Sequence, residues 1–512
     1  MKKRLLFILL GITFSYGVTA QIIYEEKHSV HLNNGFSYET TSILGENGFI
    51  VISKNEDDVD DNLEWRFEKY SKNLVSDQIV KVMLNEDLKL QNTFSNKDQI
   101  HYVFLDKKKH FAFVSFEISN MEISKKIGEL PKSLDIKEMT IYGDYAFITG
   151  ELKNKPYACS INLKTGSLKI LPLIIENMNQ KDITITGIQV LESSEEIFIF
   201  VNAEREDHKI SSYAFQLNPN GNLINTINLT PKKDYHLIDI VVSSVTNDKL
   251  LFSGTFSSGK ADCSKGIFFC QTTNSQVDFI QFYFYDQIKD FKKYLTKEQI
   301  EKLEEQKNDD EDFALATRLN YKINIHDIIP NQDEFIFIGE AFYPSYRKTS
   351  VNYYNNTGSH NIIEYIFDGY KYSHGIVCKL DNQGEMIWSQ AFEMDNIVKT
   401  NKEKKFMYVD LKTPNEIKIA FPNNYYIKTK SFDYNGNLLI DNSSDNIQEI
   451  DEINYREIQK FNLTYWYDHY FLAYGSIKLV NKNDDDIFHD VFYFDKIEYD
   501  HNKVIKKSNK VE

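Results

Sequence analysis

Three observations predict an all-β fold built from repeats. An apolar strand, a polar turn and a second strand ending in Gly recur at 137–152, 237–256 and 326–342, the glycines being Gly150, Gly254 and Gly339. The same plan, with Gly replaced or shifted, returns at 45–53, 106–115, 193–201, 415–421 and 467–475, which makes eight units. Each unit usually runs on through a loop of variable length into a hairpin, with turn residues such as Gly166, Asn220-Gly221 and Asn435-Gly436. Gly and Asn accept the positive φ those turns need. The mean spacing is about 60 residues, close to the ~40 to 50 of a four-stranded propeller blade once insertions are removed. The sequence therefore predicts a β-propeller of seven or eight blades with one inserted surface helix; tandem β-sandwich domains are the alternative. The strand around Ile23 to Leu32 precedes the first complete unit and is expected beside the C-terminal one, because a ring must remove its edges.

The composition fits a large folded core. Of 512 residues, 42% are hydrophobic and 26% charged, with 9 Pro and 21 Gly, which excludes a disordered tail, a collagen-like repeat and a coiled coil. Residues 1–20 read as a signal peptide: basic Lys2, Lys3 and Arg4, an apolar run from Leu5 to Phe14, then Val18-Thr19-Ala20 before Gln21. The apolar run is short for a membrane span, and no later stretch is long and apolar enough for one. The expected address is exported, periplasmic or extracellular, with 21–512 forming a single propeller domain. Net charge is -16, or -19 without the three basic residues of the leader. Such an acidic surface repels phosphate backbones, so nucleic acid is not an expected partner.

Two insertions, at 286–320 and 340–374, interrupt the repeat. In the first, Thr296 with Gln299 forms a capping box and Leu295 with Ile300 a hydrophobic staple, which places a surface helix within 290–318. The second reads as a long loop between second and third strands. It holds seven Tyr in 35 positions where about two are expected from the 32 in the chain. Both insertions should crowd one face of a propeller, and loops carried by a rigid ring commonly bear binding surfaces. Tyrosines offer a flat apolar body and a hydroxyl at small entropic cost. The candidate binding residues are Tyr343, Tyr346, Arg347, Tyr353, Tyr354, His360, Tyr370, Tyr372 and His374. The competing reading is that these rings pin the loop onto the rim.

Other chemistry is sparse. Acidic runs at 56–61 and 484–486 supply oxygen ligands, yet neither matches a spaced calcium loop, so no cofactor is expected and calcium is the one candidate ion. His28 and His31 fall on opposite faces of a strand and make poor joint ligands. Motifs of zinc peptidases (HExxH), serine hydrolases (GxSxG) and P-loop enzymes (GxxxxGK[ST]) are absent. Cys159, Cys270 and Cys378 take equivalent third-strand places on separate units, too far apart to bridge, and read as small buried apolar residues. Only Cys263 with Cys270 has the spacing for a local disulfide.

The segment LDNQGEMIWSQAF (380–392) resembles one copy of the repeat of quinoprotein-type propellers, in which an Asp and Gly turn precedes a docking Trp. That activity would need a Trp in most blades, and only Trp65 and Trp466 accompany Trp388. Residues 335–388 resemble a family of exported bacterial proteins of unknown function, a resemblance that brings no active site with it. The functional expectation is a non-catalytic exported propeller that binds a protein or glycan through its decorated face. The alternative is a carboxylate-dependent hydrolase or lyase, calcium-assisted, at the mouth of the channel. Mass spectrometry of the exported protein should find Gln21 at the mature N-terminus; a chain that keeps residues 1–20 overturns the leader.

Overall fold

The computed structural model describes residues 21–31, 35–55, 61–246, 248–258, 264–295, 322–326, 328–331, 334–355, 358–399, 406–411, 416–423, 426–443, 455–480 and 488–500. They form eight antiparallel sheets taken in chain order: sheet 1 (36–85), sheet 2 (89–129), sheet 3 (134–170), sheet 4 (183–228), sheet 5 (235–284), sheet 6 (322–399), sheet 7 (408–443) and sheet 8 (455–500). Within each, strands pair in sequence order, and the first strand of a sheet is called its inner strand. Sheet 8 takes its fourth strand from the other end of the chain: Gln21–His31 pairs with Phe488–Asp500, from Gln21 opposite Asp500 to His31 opposite Val491.

The middle strands explain how the sheets associate. Runs such as Phe49–Ser53, Ile197–Ala203 and Phe335–Ile338 are buried at every position rather than at alternate ones. A strand with no polar face must be covered on both sides. Eight apolar clusters provide that cover, and each joins two sheets that follow one another. Phe67 meets Tyr102 between sheets 1 and 2, with ring centroids 4.9 Å apart, and Phe269 meets Phe337 at 5.2 Å between sheets 5 and 6. Other clusters join sheets 2 to 3, 3 to 4, 4 to 5, 6 to 7 and 7 to 8. The last joins sheet 8 back to sheet 1 through Phe49, which packs on Phe494 at 5.1 Å and on Trp466 at 5.6 Å. The sheets thus succeed one another in a propeller-like cycle, whereas tandem sandwiches would pair them two by two.

Directional bonds accompany the apolar contacts. Gln189 of sheet 4 donates to the Val242 carbonyl at 2.9 Å and accepts the Val242 N–H at 2.7 Å, in the inner strand of sheet 5. Glu138 accepts the Ile188 N–H at 2.9 Å, and Ser243 accepts the Ile328 N–H at 3.1 Å. At the junction of sheets 8 and 1, the Trp466 indole donates to the Gly48 carbonyl at 3.1 Å.

The outer hairpins dock by a related device. Each turn glycine between third and fourth strands lies under a side chain of the preceding sheet: Gly221 under Leu171, Gly384 under Phe279 and Gly436 under Trp388. Trp388 also donates from its indole to the Tyr434 carbonyl at 2.8 Å. The docking Trp of the quinoprotein-like segment thus has a mechanical task here. Cys159, Cys270 and Cys378 are buried free thiols opposite Ile148, Phe252 and Phe337, which are equivalent places in three sheets; Cys263 lies outside the described residues.

Two sequence expectations need correction, and a third falls outside the described residues. In sheet 2 the unit matched at 106–115 belongs to the third strand, His110–Glu117, and the second is Gln99–Leu105. Both are middle strands covered on two sides, so both read as apolar runs. Next, 340–374 is not a loop. Glu334–Asn355 and Gly358–Asp381 pair from Glu334 opposite Asp381 to Asn355 opposite Gly358, as one long β-arm. Its Tyr, Ile, Val and Thr content favours a pleated ribbon over irregular chain. Finally, the described start of the other insertion contains 3-10 turns at Tyr285–Gln287 and Phe291–Tyr294; the expected helix over Thr296 to Ile300 and beyond lies outside the described residues. No α-helix occurs among the described residues, and none there is long and apolar enough to cross a membrane.

Two glycines test the docking device. Gly436 has φ +81, and a Cβ there would fall 2.6 Å from the Trp388 ring, whereas Gly143 has φ +53 with open space around it. Gly436→Ala should lower the unfolding free energy by about 2–4 kcal/mol, and Gly143→Ala by only ~1 kcal/mol from backbone strain. Denaturant titration of both variants reads the difference.

Candidate functional site

The structure divides the sequence-predicted site residues instead of gathering them. At the base of the arm, Tyr372 and His374 are wholly buried. Tyr372 stacks on Phe342 and Phe406, with centroids 5.5 and 5.1 Å away, and its hydroxyl accepts from Asn324 at 3.3 Å. His374 meets the edge of Phe291 at 4.5 Å and pairs with the Ser373 hydroxyl at 2.8 Å. Tyr343 and Tyr370 are half-buried. Farther out, Tyr346 is 56% exposed and lies 5.7 Å from the Phe367 ring, and Arg347 is exposed. For Tyr353, Tyr354 and His360 the backbone lies in the arm, with Tyr353 opposite His360, and their side chains lie outside the described residues. The wholly buried rings at the base are packing residues.

A different arrangement lies among the inner strands. Sheet 6 has a broken inner strand: Lys322–Ile325 pairs with residues 339–342 of the neighbouring strand and Ile329–Asn331 with residues 334–336. His326 stands in the break and donates its N–H to the Ile338 carbonyl at 3.0 Å. Its Nε2 is 2.5 Å from Oε1 of Glu340, a wholly buried carboxylate on the adjoining strand. The same Oε1 accepts the N–H groups of Phe406 at 2.8 Å and Met407 at 2.7 Å, just before the inner strand of sheet 7. Oε2 of Glu340 is buried with no hydrogen-bond partner among the described residues.

His326 opens onto a cavity of about 380 Å³ walled by three sheets: His326 and Ile329 from sheet 6, residues 406–409 and Pro422 at sheet 7, and Leu463, Thr464 and Tyr465 from sheet 8. Two tyrosines close one side. The rings of Tyr408 and Tyr465 lie 3.5 Å apart at 11°, and both hydroxyls donate to the Asp468 carbonyl, at 3.5 and 3.3 Å. Burial, and then the Tyr465 hydroxyl, push the Tyr408 phenol above its ordinary range. An imidazole backed by a carboxylate beside a cavity is suited to proton transfer.

Sequence reasoning quoted His326 and Glu340 only as parts of a repeat. A usable signal was present, since Glu340 directly follows Gly339 in a run otherwise buried on both faces, where an ionisable residue demands a partner.

Two further clefts are less organised. One, of about 510 Å³ between sheets 1 and 2, is lined by His110, whose Nδ1 is 2.6 Å from Asp106. Asp106 also accepts the His110 N–H across a tight turn, which accounts for its position. Another, of about 540 Å³, is lined by acidic side chains such as Glu204 and Asp207 together with Arg205, His208 and amides. Residues 56–60 and 484–486 of the acidic runs lie outside the described residues. Among the described residues no three His, Cys, Asp or Glu come together in a group able to hold a metal.

No protein-family model and no curated protein matches the chain. Solved structures do resemble it at low identity. The crystal structure of the polysaccharide lyase Uly1 shares 9% identity, covering 80% of this chain and 89% of that one, with a TM-score of 0.38. The tricorn protease shares 10% over 83% of this chain and 36% of that one, at 0.36. A post-proline cleaving enzyme from Rickettsia typhi shares 12% over 89% and 58%, at 0.34. The chain thus spans less than two thirds of those two peptidases. All three neighbours are enzymes, so the expected non-catalytic binding reading is not carried further. Likeness at these scores transfers no residue, substrate or mechanism.

Two buried histidines predict acid sensitivity. Burial lowers the His374 pKa from 6.5 to about 3, and mainly burial lowers that of His101 to about 4. Both stay neutral in the fold but protonate in the unfolded chain, so their contribution is complete above about pH 6.5 and is lost as pH falls towards 4 and 3. His374→Phe should flatten the decline of melting temperature with falling pH over that window. An unchanged slope overturns the assignment.

Proposed function

We propose that this chain is an exported, eight-bladed β-propeller enzyme of the hydrolase or lyase class, with residues 1–20 as its leader. In this reading each of the eight sheets is a blade, and the inner strands line a central channel. The cycle of apolar clusters and the N-terminal strand in sheet 8 support the bladed reading.

One observation carries the catalytic part: His326 lines a cavity walled by three inner strands and is held at 2.5 Å by a wholly buried carboxylate with an oxygen to spare. Glu340 fixes the ring orientation, and the imidazole that lines the cavity is the general base in this reading. Tyr408 and Thr464 supply hydroxyl groups on the same walls.

The test is turnover on a panel of chromogenic glycosides, esters and peptides together with uronate-containing polysaccharides, the latter read as unsaturated product. His326→Ala should lower kcat by about a hundredfold or more and, because it leaves the buried Glu340 carboxylate without its partner, should also destabilise the fold by ~3 kcal/mol. Glu340→Ala should lose activity and also destabilise the fold by ~3 kcal/mol, because it strands the Phe406 and Met407 N–H groups. Turnover that survives in His326→Ala overturns the assignment.

A further inference from the structure

We propose that Tyr408 and Tyr465 form a built-in site for oxidative cross-linking, at which one-electron oxidation joins sheets 7 and 8 through a dityrosine bond. Nothing in this depends on the catalytic reading. The two rings come from neighbouring inner strands, overlap face to face at 3.5 Å with an 11° tilt, and send both hydroxyls to one carbonyl, that of Asp468. Because both phenols end on one acceptor, the rings lie in the same sense. Carbons ortho to the two hydroxyls are therefore brought close together. Radical coupling of phenols takes place at those carbons, and here the approach is already made in the ground state.

The chemistry balances with a named oxidant. Each phenol gives up one electron and one proton to become a tyrosyl radical. The two radicals combine through a new bond between ortho carbons. The hydrogen displaced from each of those carbons moves to its oxygen as the ring regains aromaticity. Overall, two phenols become one biphenol, with two electrons passed to a persulfate- or peroxide-driven one-electron oxidant and two protons released to solvent.

Both tyrosines line the cavity, so a small oxidant that enters it meets the pair directly. Met407 lines the same cavity, and its conversion to sulfoxide reports oxidation there.

The test is brief photo-oxidation of the full chain with a ruthenium tris-bipyridyl and persulfate couple, isolation of the monomer, and mass-spectrometric mapping of its peptides. A Tyr408–Tyr465 cross-linked peptide is expected as the main dityrosine of the monomer. Tyr408→Phe and Tyr465→Phe each keep the stacked ring while removing one phenol, and each should cut monomer dityrosine fluorescence at least fivefold. Dityrosine at other pairs, or Met407 sulfoxide with no 408–465 link, overturns the proposal. Since the wild-type map is decisive by itself, a variant that folds poorly does not leave the question open.

Discussion

Side-chain hydrogen bonds from one sheet to the inner-strand backbone of the next hold the cycle in register. Apolar burial drives the sheets together but has no direction, so by itself it would permit them to slide. An inner strand is an edge strand, and a bulge in it turns some N–H groups away from the ladder. Register shifts fall between Ile185 and Gly187 and between Ile238 and Val241, and sheet 6 is broken around His326. The N–H groups of Ile188, Val242 and Ile328 lie at those irregularities, and each finds an acceptor on the preceding sheet. The irregularity and its acceptor form one unit. Closure between sheets 8 and 1 uses the Trp466 indole, which donates to a carbonyl instead.

This constraint explains which parts of the fold were legible from sequence. Middle strands covered on both faces leave an unbroken apolar run, and outer turns need Gly under a neighbour's side chain, so both leave marks that survive divergence between units. Residues 45–53 and 326–342 could be aligned on that basis alone. The same two-sided burial blurs second and third strands, which is why 106–115 was placed one strand too early. The β-arm was lost for a different reason. Its alternation is spread over Tyr, Thr, Ser, Asn and Lys, and Pro344 and Gly369 interrupt it, so no apolar face stands out. Tyrosine enrichment there is real, but at the base of the arm it reports packing: Tyr372 lies between Phe342 and Phe406.

The candidate site was less legible because its members come together only through the cycle. His326 and Glu340 are 14 residues apart on paired strands, whereas Phe406, Tyr408, Thr464 and Tyr465 arrive from the two following sheets. No spacing rule links residues 326, 408 and 465. What the sequence does carry is a misfit: a His and a Glu in segments that otherwise bury every side chain. A buried ionisable residue costs several kcal/mol unless it is paired, so such misfits mark places where structure or chemistry supplies a partner.

Structure alone does not account for a carboxylate at position 340. The task of accepting N–H groups from the next sheet is done elsewhere by the neutral side chains of Gln189 and Ser243, and by Glu138, which is exposed. A glutamine at 340 would offer one carbonyl oxygen to Phe406 and Met407 just as Oε1 does, without the penalty of a buried charge. Glutamate adds two things: a second oxygen, without a partner among the described residues, and a carboxylate beside the His326 ring. The first is a cost of about 1–3 kcal/mol with no structural return. The second matters only if His326 gains and loses a proton, and His326 is the member of the pair that faces the cavity. Fastening explains where Glu340 sits, and the proton transfer proposed for His326 gives the carboxylate beside it a task.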